Sequence, residues 1–215
     1  MGRHDLNATG EISYAHAAQS RSGRALIRLM ENSTGRLRLM QRARGYEDDV
    51  QAGRGFFDVM AARYGLSLEV VAGSLDLIPR TGAVIFIANH PYGILDGLML
   101  GQMMSRTRGD FKILAHSVFN RAPDLTNHLL PISFDGDKAA LMSNLTTRRK
   151  ALRYLAGGGA IGVFPGGTVS TASRPFSRPM DPGWRSFTAR MIARSRASVV
   201  PVFFEGHTSR TFQIA

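Results

Sequence analysis

The pattern of apolar and polar positions divides the chain near residue 65. Before that point, apolar residues such as Leu26 and Leu37 are interspersed with arginines at spacings typical of amphipathic helices, and the stretch 32–35 predicts a break between two helical pieces. Such a segment either lies on lipid headgroups or packs on the rest of the protein with a solvated arginine face. We therefore predict an N-terminal helical segment over residues 1–65 and a second domain over residues 66–215.

Short β-rich runs alternate with helical stretches from residue 66 onward. The run 83–88 is continuously apolar, as expected of a buried strand, and leucines at helical spacing in 139–156 lead to a stop signal at Gly157–Gly159. This alternation predicts an α/β fold with a mixed, mostly parallel sheet flanked by helices. The predicted strands cover residues 66–71, 83–88, 112–115, 161–164 and 198–204, and the predicted helices cover residues 94–106, 139–156 and 184–196.

The composition is typical of a globular protein and excludes several classes of functional site. Of the 215 residues, 44% are apolar and 20% are charged, which is enough apolar side chain for a sizeable core. Because there is no cysteine, disulfides, thiolate zinc sites, iron–sulfur clusters and thiol nucleophiles are excluded. There is no run of 18 apolar residues and no apolar core of a secretory signal at the N-terminus, so we expect any contact with a bilayer to be peripheral.

The charge balance predicts an anionic partner. The formal net charge is +11 and the sequence pI is about 11.1, which suits either nucleic acid or the surface of an anionic membrane, although an arginine-rich composition also arises from coding bias. The positive excess is concentrated in residues 151–215, where eight basic side chains stand against two acidic ones. We expect the face that binds anionic headgroups or an acidic carrier protein to lie in this part of the chain.

The turn after the predicted strand 83–88 carries the clearest candidate chemistry. His90 and Asp96 lie just beyond the carboxyl end of that strand, where open α/β sheets place their ligand crevice. Pro91 and Gly93 predict a tight turn there. An imidazole in this place would act as a general base, with the carboxylate fixing its tautomer. In the alternative interpretation, Asp96 is a first-turn helix residue favoured by the helix dipole, and His90 is a hydrogen-bonded turn residue.

Three blocks of sequence follow one another between residues 66 and 212. The first is Asn89-His90 with Asp96, the second is Phe164-Pro-Gly-Gly-Thr-Val-Ser170, and the third is Val199-Val-Pro-Val-Phe-Phe-Glu-Gly206. In this order they resemble the catalytic His–Asp block, the Phe-Pro-x-Gly-Thr-x-Ser block and the closing block of the glycerolipid acyltransferase superfamily. That superfamily includes lysophosphatidic acid acyltransferases and the bacterial hemolysin-like and lyso-ornithine lipid acyltransferases.

The resemblance implies a lysolipid O-acyltransferase. His90 would deprotonate the free hydroxyl of a lysolipid acceptor, Asp96 would orient His90, and the hydroxyl would attack the thioester of an acyl-carrier protein or of coenzyme A. No metal and no cofactor is implied beyond this acyl-ACP or acyl-CoA co-substrate. Residues implied to hold the acceptor or the oxyanion are Gly166, Gly167, Thr168 and Ser170, and those that could line an acyl-chain pocket are Tyr92, Leu98 and Met99. A Leu/Met stripe at helical spacing more often belongs to a core.

This chain departs from the family pattern at three places. Five residues separate His90 from Asp96, one more than in the commonest form, and we expect Gly93 to absorb the extra residue as a bulge. Gly166 and Val169 stand where the family usually has glutamate and arginine, and the block at 131–138 lacks the usual arginine.

Those family arginines are expected phosphate ligands, so their loss argues for an acceptor without a phosphate monoester, such as the lyso-aminolipid lyso-ornithine lipid. Alternatively, Lys112, Arg174 and Arg178 rebuild a phosphate site, and the acceptor is 1-acyl-glycerol-3-phosphate.

Two rival classes fit the sequence less well. A serine hydrolase would need a Gly-x-Ser-x-Gly elbow, and a nucleic-acid-binding module would need a recognisable helix-turn-helix, zinc-finger or aromatic RNA-binding signature; the sequence has neither. We therefore expect a peripheral protein on the cytoplasmic face of the inner membrane that binds an anionic membrane surface and no nucleic acid. The resemblance also leads us to expect that full-length relatives continue beyond residue 215.

Overall fold

The computed structural model describes residues 36–117, 119, 123–174, 177–210 and 213. Its chain divides into two compact units, the first made of residues 1–66 and 209–215 and the second of residues 67–208. The predicted helical break at 32–35 and the arginines and leucines before it lie outside the described residues.

The first unit contains three short helices in its described part. They are α1 (Arg36–Ala43), α2 (Tyr46–Gln51) and α3 (Phe56–Tyr64). The guanidinium of Arg63 on α3 donates to the carboxylate of Asp49 on α2 and, at 2.7 Å, to the carbonyl oxygen of Gly45. The hydrogen bond from Arg63 holds the pKa of Asp49 below its usual value. One arginine thus ties α3 to α2 and to the turn that precedes it.

The second unit is built on a five-stranded sheet with the strand order β3-β2-β4-β1-β5. Its strands are β1 (Val84–Ala88), β2 (Phe111–His116), β3 (Leu129–Ile132), β4 (Ala160–Val163) and β5 (Ser198–Val202). Its helices are α4 (Ile94–Thr107), α5 (Pro123–Thr126), α6 (Lys138–Ala156) and α7 (Ser186–Ser195), with a 3₁₀ turn at Leu75–Leu77. Every pairing in the sheet is parallel, so the predicted α/β fold is confirmed and the sheet is all-parallel rather than mixed.

Both faces of the sheet are covered by helices. On one face Ile85 and Ile161 pack with Leu155 of α6 and Met191 of α7 in a buried cluster. On the opposite face α4 approaches β4 closely at Gly162, where a Cβ atom would lie 3.0 Å from side-chain atoms of Leu100 and Met104. Because both faces are buried, β1 is apolar and buried along its whole length, as a central parallel strand requires.

One predicted strand is not formed, and one observed strand was not predicted. Residues 66–71 pair with none of the sheet strands, and Val71 is 75% exposed; β-branched residues favour a strand only where a neighbouring strand offers hydrogen bonds. Strand β3 was not predicted from the sequence, and it contains Pro131. Proline removes one backbone donor, which an edge strand tolerates, and β3 is at the edge of the sheet.

Candidate active site

The candidate site lies at the carboxyl end of β1, between the loops that follow β4 and β5. Because β1 is parallel to both neighbours, their carboxyl ends meet at the same edge of the sheet. Asn89 joins the loops after β1 and β5: its side-chain amide donates to the carbonyl of Phe204 at 2.9 Å and accepts from the N–H of Phe204 at 2.7 Å. The side chain thereby continues the β1–β5 ladder by one step and fixes the start of the loop that carries His90.

The structure brings His90 and Asp96 together. The Nδ1 atom of His90 lies 3.1 Å from Oδ2 of Asp96, at ion-pair distance, although the two atoms do not form a hydrogen bond. The carboxylate of Asp96 is 1% exposed, and its Oδ2 also accepts the backbone N–H of Tyr92 at 2.7 Å. This second contact holds the carboxylate against the turn.

Gly93 lies in the turn between the histidine and the aspartate, where we expected it to absorb the extra residue. It precedes α4 with φ 67° and ψ −122°, a conformation that only glycine adopts without strain. A Cβ atom at this position would also lie 3.2 Å from Cγ2 of Val169. Glycine is therefore required at this position for two reasons: its positive φ angle and the closeness of Val169.

The ring of Phe164 supports the imidazole of His90 from the β4 side. The two rings are stacked with their centroids 4.1 Å apart. The side chain of His90 is 18% exposed, and Nε2 has no hydrogen-bond partner among the described residues. The imidazole is therefore stacked on one face against an aromatic ring, and one of its nitrogens lies 3.1 Å from a carboxylate, while its other nitrogen is open to a substrate.

A second carboxylate at the site, that of Asp181, was not predicted from the sequence. Its Oδ1 accepts the backbone N–H of His90 at 3.1 Å and the hydroxyl of Ser170 at 2.5 Å. Ser170 in turn donates its backbone N–H to the carbonyl of His90 at 2.9 Å. No local sequence pattern connects Asp181 with His90, because the two residues are far apart in the chain. The position of Asp181 directly before Pro182 was the only signal in the sequence that could have drawn attention to it.

The turn after β4 places the predicted acceptor-binding residues in different environments. Gly167 has φ 80° and already donates its N–H to the carbonyl of Phe164, so this N–H is not available to an oxyanion. Gly166 is buried, and a Cβ atom there would lie 3.0 Å from Pro182. Thr168 is exposed, whereas Ser170 is only 4% exposed and uses its hydroxyl to bind Asp181. Of the four, Thr168 alone presents its side chain to solvent.

Three predicted basic residues are not brought into contact with the histidine. Lys112 is paired in register with Ile161 on β4, and Ile161 is paired with Ile85 near the start of β1. Lys112 therefore lies in the amino-terminal half of the sheet. Its ammonium donates to the carbonyl of Asn127 at 2.5 Å. Arg174 and Arg178 are exposed on the loop that is closed by the Thr171–Met180 bridge.

The residues predicted for an acyl-chain pocket separate into two groups. Tyr92 is 37% exposed, and its hydroxyl donates to the carbonyl of Glu205 at 3.0 Å above the end of β5. Leu98 and Met99 are 6% and 8% exposed and belong to the core of the second unit. In the part of the chain that the structure describes, no three His, Asp or Glu side chains are grouped as metal ligands would be, and no helix is both long and apolar enough to cross a bilayer.

The parallel sheet carries the His90–Asp96 pair at its carboxyl edge. A family model described as "Acyltransferase" matches residues 46–215, and the chain therefore belongs to this acyltransferase family. This match confirms the resemblance drawn from the three blocks.

Two curated relatives are named lyso-glycine lipid O-acyltransferase. The one from Phocaeicola vulgatus is 25% identical over 148 residues, which are 68% of this chain and 50% of the relative. The one from Bacteroides thetaiotaomicron is 24% identical over 148 residues, or 68% of this chain and 52% of the relative. The chain thus spans about half the length of these relatives.

Proposed function

We propose that this protein transfers a fatty acyl group from an acyl-ACP or acyl-CoA thioester to the free hydroxyl of a lysolipid. The observation that carries the proposal is the pairing of His90 with the buried carboxylate of Asp96 at 3.1 Å, with the opposite ring nitrogen open. Attack of an alcohol on a thioester requires removal of the hydroxyl proton as the C–O bond forms, and a neutral imidazole is suited to this. Membership of the acyltransferase family supports the same chemistry.

In the proposed mechanism His90 is the general base and Asp96 holds it. Asp96 keeps the proton of the neutral imidazole on Nδ1, so that Nε2 accepts the proton of the acceptor hydroxyl. The hydroxyl oxygen then bonds to the thioester carbonyl carbon, and the tetrahedral intermediate breaks its C–S bond. The departing thiolate takes the proton back from Nε2. During the step in which the imidazole is charged, the buried carboxylate of Asp96 stabilises it.

Thr168 is the residue of the β4 turn best placed to assist the oxyanion. Its side chain is exposed, whereas Ser170 and the N–H of Gly167 are already engaged within the protein. A hydroxyl donor at the developing negative charge lowers the barrier more in the transition state than in the ground state. We therefore assign Thr168 to the reacting carbonyl, and Gly166, Gly167 and Ser170 to the shape of the turn that presents it.

The acceptor we favour is a lyso-aminolipid, in which an amino acid joined through its amine to a fatty chain keeps its carboxylate. The family's usual glutamate and arginine are replaced by Gly166 and Val169, and the space around these residues is filled by Pro182 and by the turn at Gly93. No side chain at these two positions therefore offers a charge to a phosphate. The names of the relatives point to lyso-glycine lipid, and lyso-ornithine lipid shares the same carboxylate.

The alternative acceptor, 1-acyl-glycerol-3-phosphate, would need Lys112, Arg174 and Arg178 as phosphate ligands. Lys112 lies in the amino-terminal half of the sheet, about five residue steps from the level of the histidine, or roughly 16 Å at 3.3 Å per step. Arg174 and Arg178 are on an exposed loop and remain available. The aminolipid is thus the better-supported acceptor, and comparing turnover of the two lysolipids by purified protein separates them.

Peripheral contact with an anionic membrane would bring this site to its lipid substrate. Four large apolar side chains are exposed around the carboxyl edge of the sheet: Tyr92, Ile94, Trp184 and Phe203, with Phe203 71% exposed. Together with the positive excess of residues 151–215, they suit an interfacial surface on the cytoplasmic side of the inner membrane. Sedimentation with anionic vesicles, compared with neutral vesicles, tests this contact.

The substitution His90→Ala tests the proposed function. We expect it to reduce acyl transfer from a thioester to a lysolipid at least about 100-fold, because a positioned general base contributes 10²–10⁴-fold. His207→Ala is the matched control, since His207 is exposed and its ring contacts the carbonyl of its neighbour Thr208. Retained acylation by the His90 variant, with an unchanged unfolding temperature, would refute the mechanism.

A further inference from the structure

Arg185 is a positive charge without an acidic partner beside the turn after β4. Its guanidinium carbon lies 4.9 Å from the centroid of the Phe134 ring, and within the described residues no carboxylate forms an ion pair with it. The residue is exposed, and its backbone N–H donates to the carbonyl of Pro165 at 3.1 Å. The arginine is therefore anchored through its backbone and stacked through its side chain, which leaves the outer N–H groups of the guanidinium free.

Gly167 provides the space in which this guanidinium lies. A Cβ atom on Gly167 would be 3.3 Å from Nε of Arg185 and 3.3 Å from two carbon atoms of the Phe134 ring. Any larger residue would press on both partners and would also be strained at φ 80°. The close approach of these three residues joins loops that follow β3, β4 and the 171–180 loop, which are distant in sequence.

Neither nearby carboxylate forms an ion pair with Arg185 in the described part of the chain. The Oδ1 atom of Asp181 binds His90 and Ser170, and its Oδ2 is buried without a hydrogen-bond partner. The carboxylate of Asp135, next to Phe134, accepts the hydroxyl of Ser133 at 2.6 Å. The guanidinium N–H groups of Arg185 are thus left for an anion from solution, and a guanidinium binds a carboxylate through two parallel N–H···O bonds.

We propose that Arg185 binds the carboxylate of the acceptor headgroup, an inference that rests on the proposed function. The backbone of Arg185 is connected to the catalytic pair by one short stretch of chain: Phe164 stacks on His90, and the carbonyl of the next residue, Pro165, accepts the backbone N–H of Arg185. A single guanidinium matches the one negative charge of a carboxylate, whereas a phosphate monoester carries close to two. Arg185 thereby supplies a cation from a position that the three sequence blocks do not contain.

The experiment compares Arg185→Gln with Arg148→Gln in the full chain. Arg148 is the matched control because it is also exposed and also stacked on a phenylalanine, with its guanidinium carbon 4.8 Å from the Phe187 ring centroid, but it lies on α6 in the helical layer. The acceptors are an N-(hydroxyacyl)glycine and its methyl ester, and the donor is an acyl-CoA or acyl-ACP thioester. Binding of each acceptor without donor is measured by equilibrium dialysis, and turnover is measured separately.

We expect Arg185→Gln to raise the KM and the dissociation constant for the free carboxylate about tenfold or more, with kcat changed less than about threefold. The methyl ester should bind weakly to every variant and respond to neither substitution. Arg148→Gln should behave as the unsubstituted protein, and the KM for the donor should not change.

Different failures have different meanings. Turnover that does not depend on Arg185 overturns the carboxylate site and leaves the acyltransferase proposal intact. Binding that depends on Arg185 without any turnover supports the site and overturns the proposed function. A rise in the donor KM alone assigns Arg185 to the thioester and overturns the inference. The inference is also overturned if Arg185→Gln weakens binding of the methyl ester as much as binding of the free carboxylate. A preference for 1-acyl-glycerol-3-phosphate that depends on Arg185 overturns it as well.

Discussion

The backbone N–H of His90 donates a hydrogen bond to Oδ1 of Asp181, 3.1 Å away, although the two residues are 91 positions apart in the chain. The same oxygen accepts the hydroxyl of Ser170, whose N–H binds the carbonyl of His90. These three contacts form a closed set that fixes the backbone of His90 rather than its ring. Asp181 is therefore a positioning residue of the proposed reaction.

We expect Asp181→Ala to lower kcat about 100-fold, because losing this oxygen frees the loop that holds His90, and a displacement of about 1 Å has effects of that size. Asp181→Asn keeps an oxygen that accepts both hydrogen bonds, so its kcat should remain within about tenfold of the unsubstituted value. Steady-state kinetics with both variants, together with their unfolding temperatures, checks the prediction. A rate for the alanine variant equal to that of the unsubstituted protein would contradict it.

The turn at Gly93 should be intolerant of a side chain. Gly93→Ala places a Cβ atom at φ 67° and 3.2 Å from Val169, which should destabilise the protein by about 1–3 kcal/mol and misalign His90 with Asp96. Gly97→Ala is the matched control in the same helix, where a Cβ atom meets nothing within 4 Å, and it should stabilise the protein by up to about 1 kcal/mol. Urea unfolding and acyl-transfer rates measure both effects; equal behaviour of the two variants would show that the turn is not strained.

For the rate of acyl transfer, the negative charge of Asp96 should matter more than the shape of its side chain. In Asp96→Asn an amide oxygen still reaches the N–H of Tyr92, so we expect the fold to be retained. Without the negative charge the imidazolium is not stabilised during proton transfer, and kcat should fall on the order of 10³-fold. Asp76→Asn, an exposed carboxylate in the 3₁₀ turn, provides the control. If both variants transfer acyl groups at similar rates, Asp96 does not act on the histidine.

The elements that could be predicted from sequence are those determined by local pattern. The apolar run of β1 and the helix α4 that follows it were predicted within a residue of their observed bounds, and together they place His90 and Asp96 on either side of one turn. Their contact could be predicted because both residues belong to one short segment. The strand predicted at 66–71 failed for the opposite reason, since its formation depends on a partner strand elsewhere in the chain.

Asp181 was not predicted because it lies in a segment without regular structure that reaches the site through tertiary packing alone. Arg185 belongs to the predicted helix 184–196 and to the basic stretch 151–215, but the sequence did not indicate its position beside the turn after β4. Their neighbours in space come from the loops after β1, β3 and β4. Sequence spacing carries no information about such contacts. The departures at Gly166 and Val169 argued in the sequence for an acceptor without a phosphate monoester, and in the structure Pro182 and the Gly93 turn occupy the space around them.

Two hydrogen bonds between Asn89 and Phe204 connect the end of β1, the first strand of the sheet in the sequence, to the end of β5, the last. β1 pairs with β4 on one side and β5 on the other, so a ribosome has translated well over a hundred residues after His90 before Phe204 is available to meet Asn89. Until then the loop that bears His90 lacks the two hydrogen bonds to Phe204. We therefore expect a nascent chain halted between β4 and β5 to carry His90 and Asp96 without the full set of contacts that holds their loop.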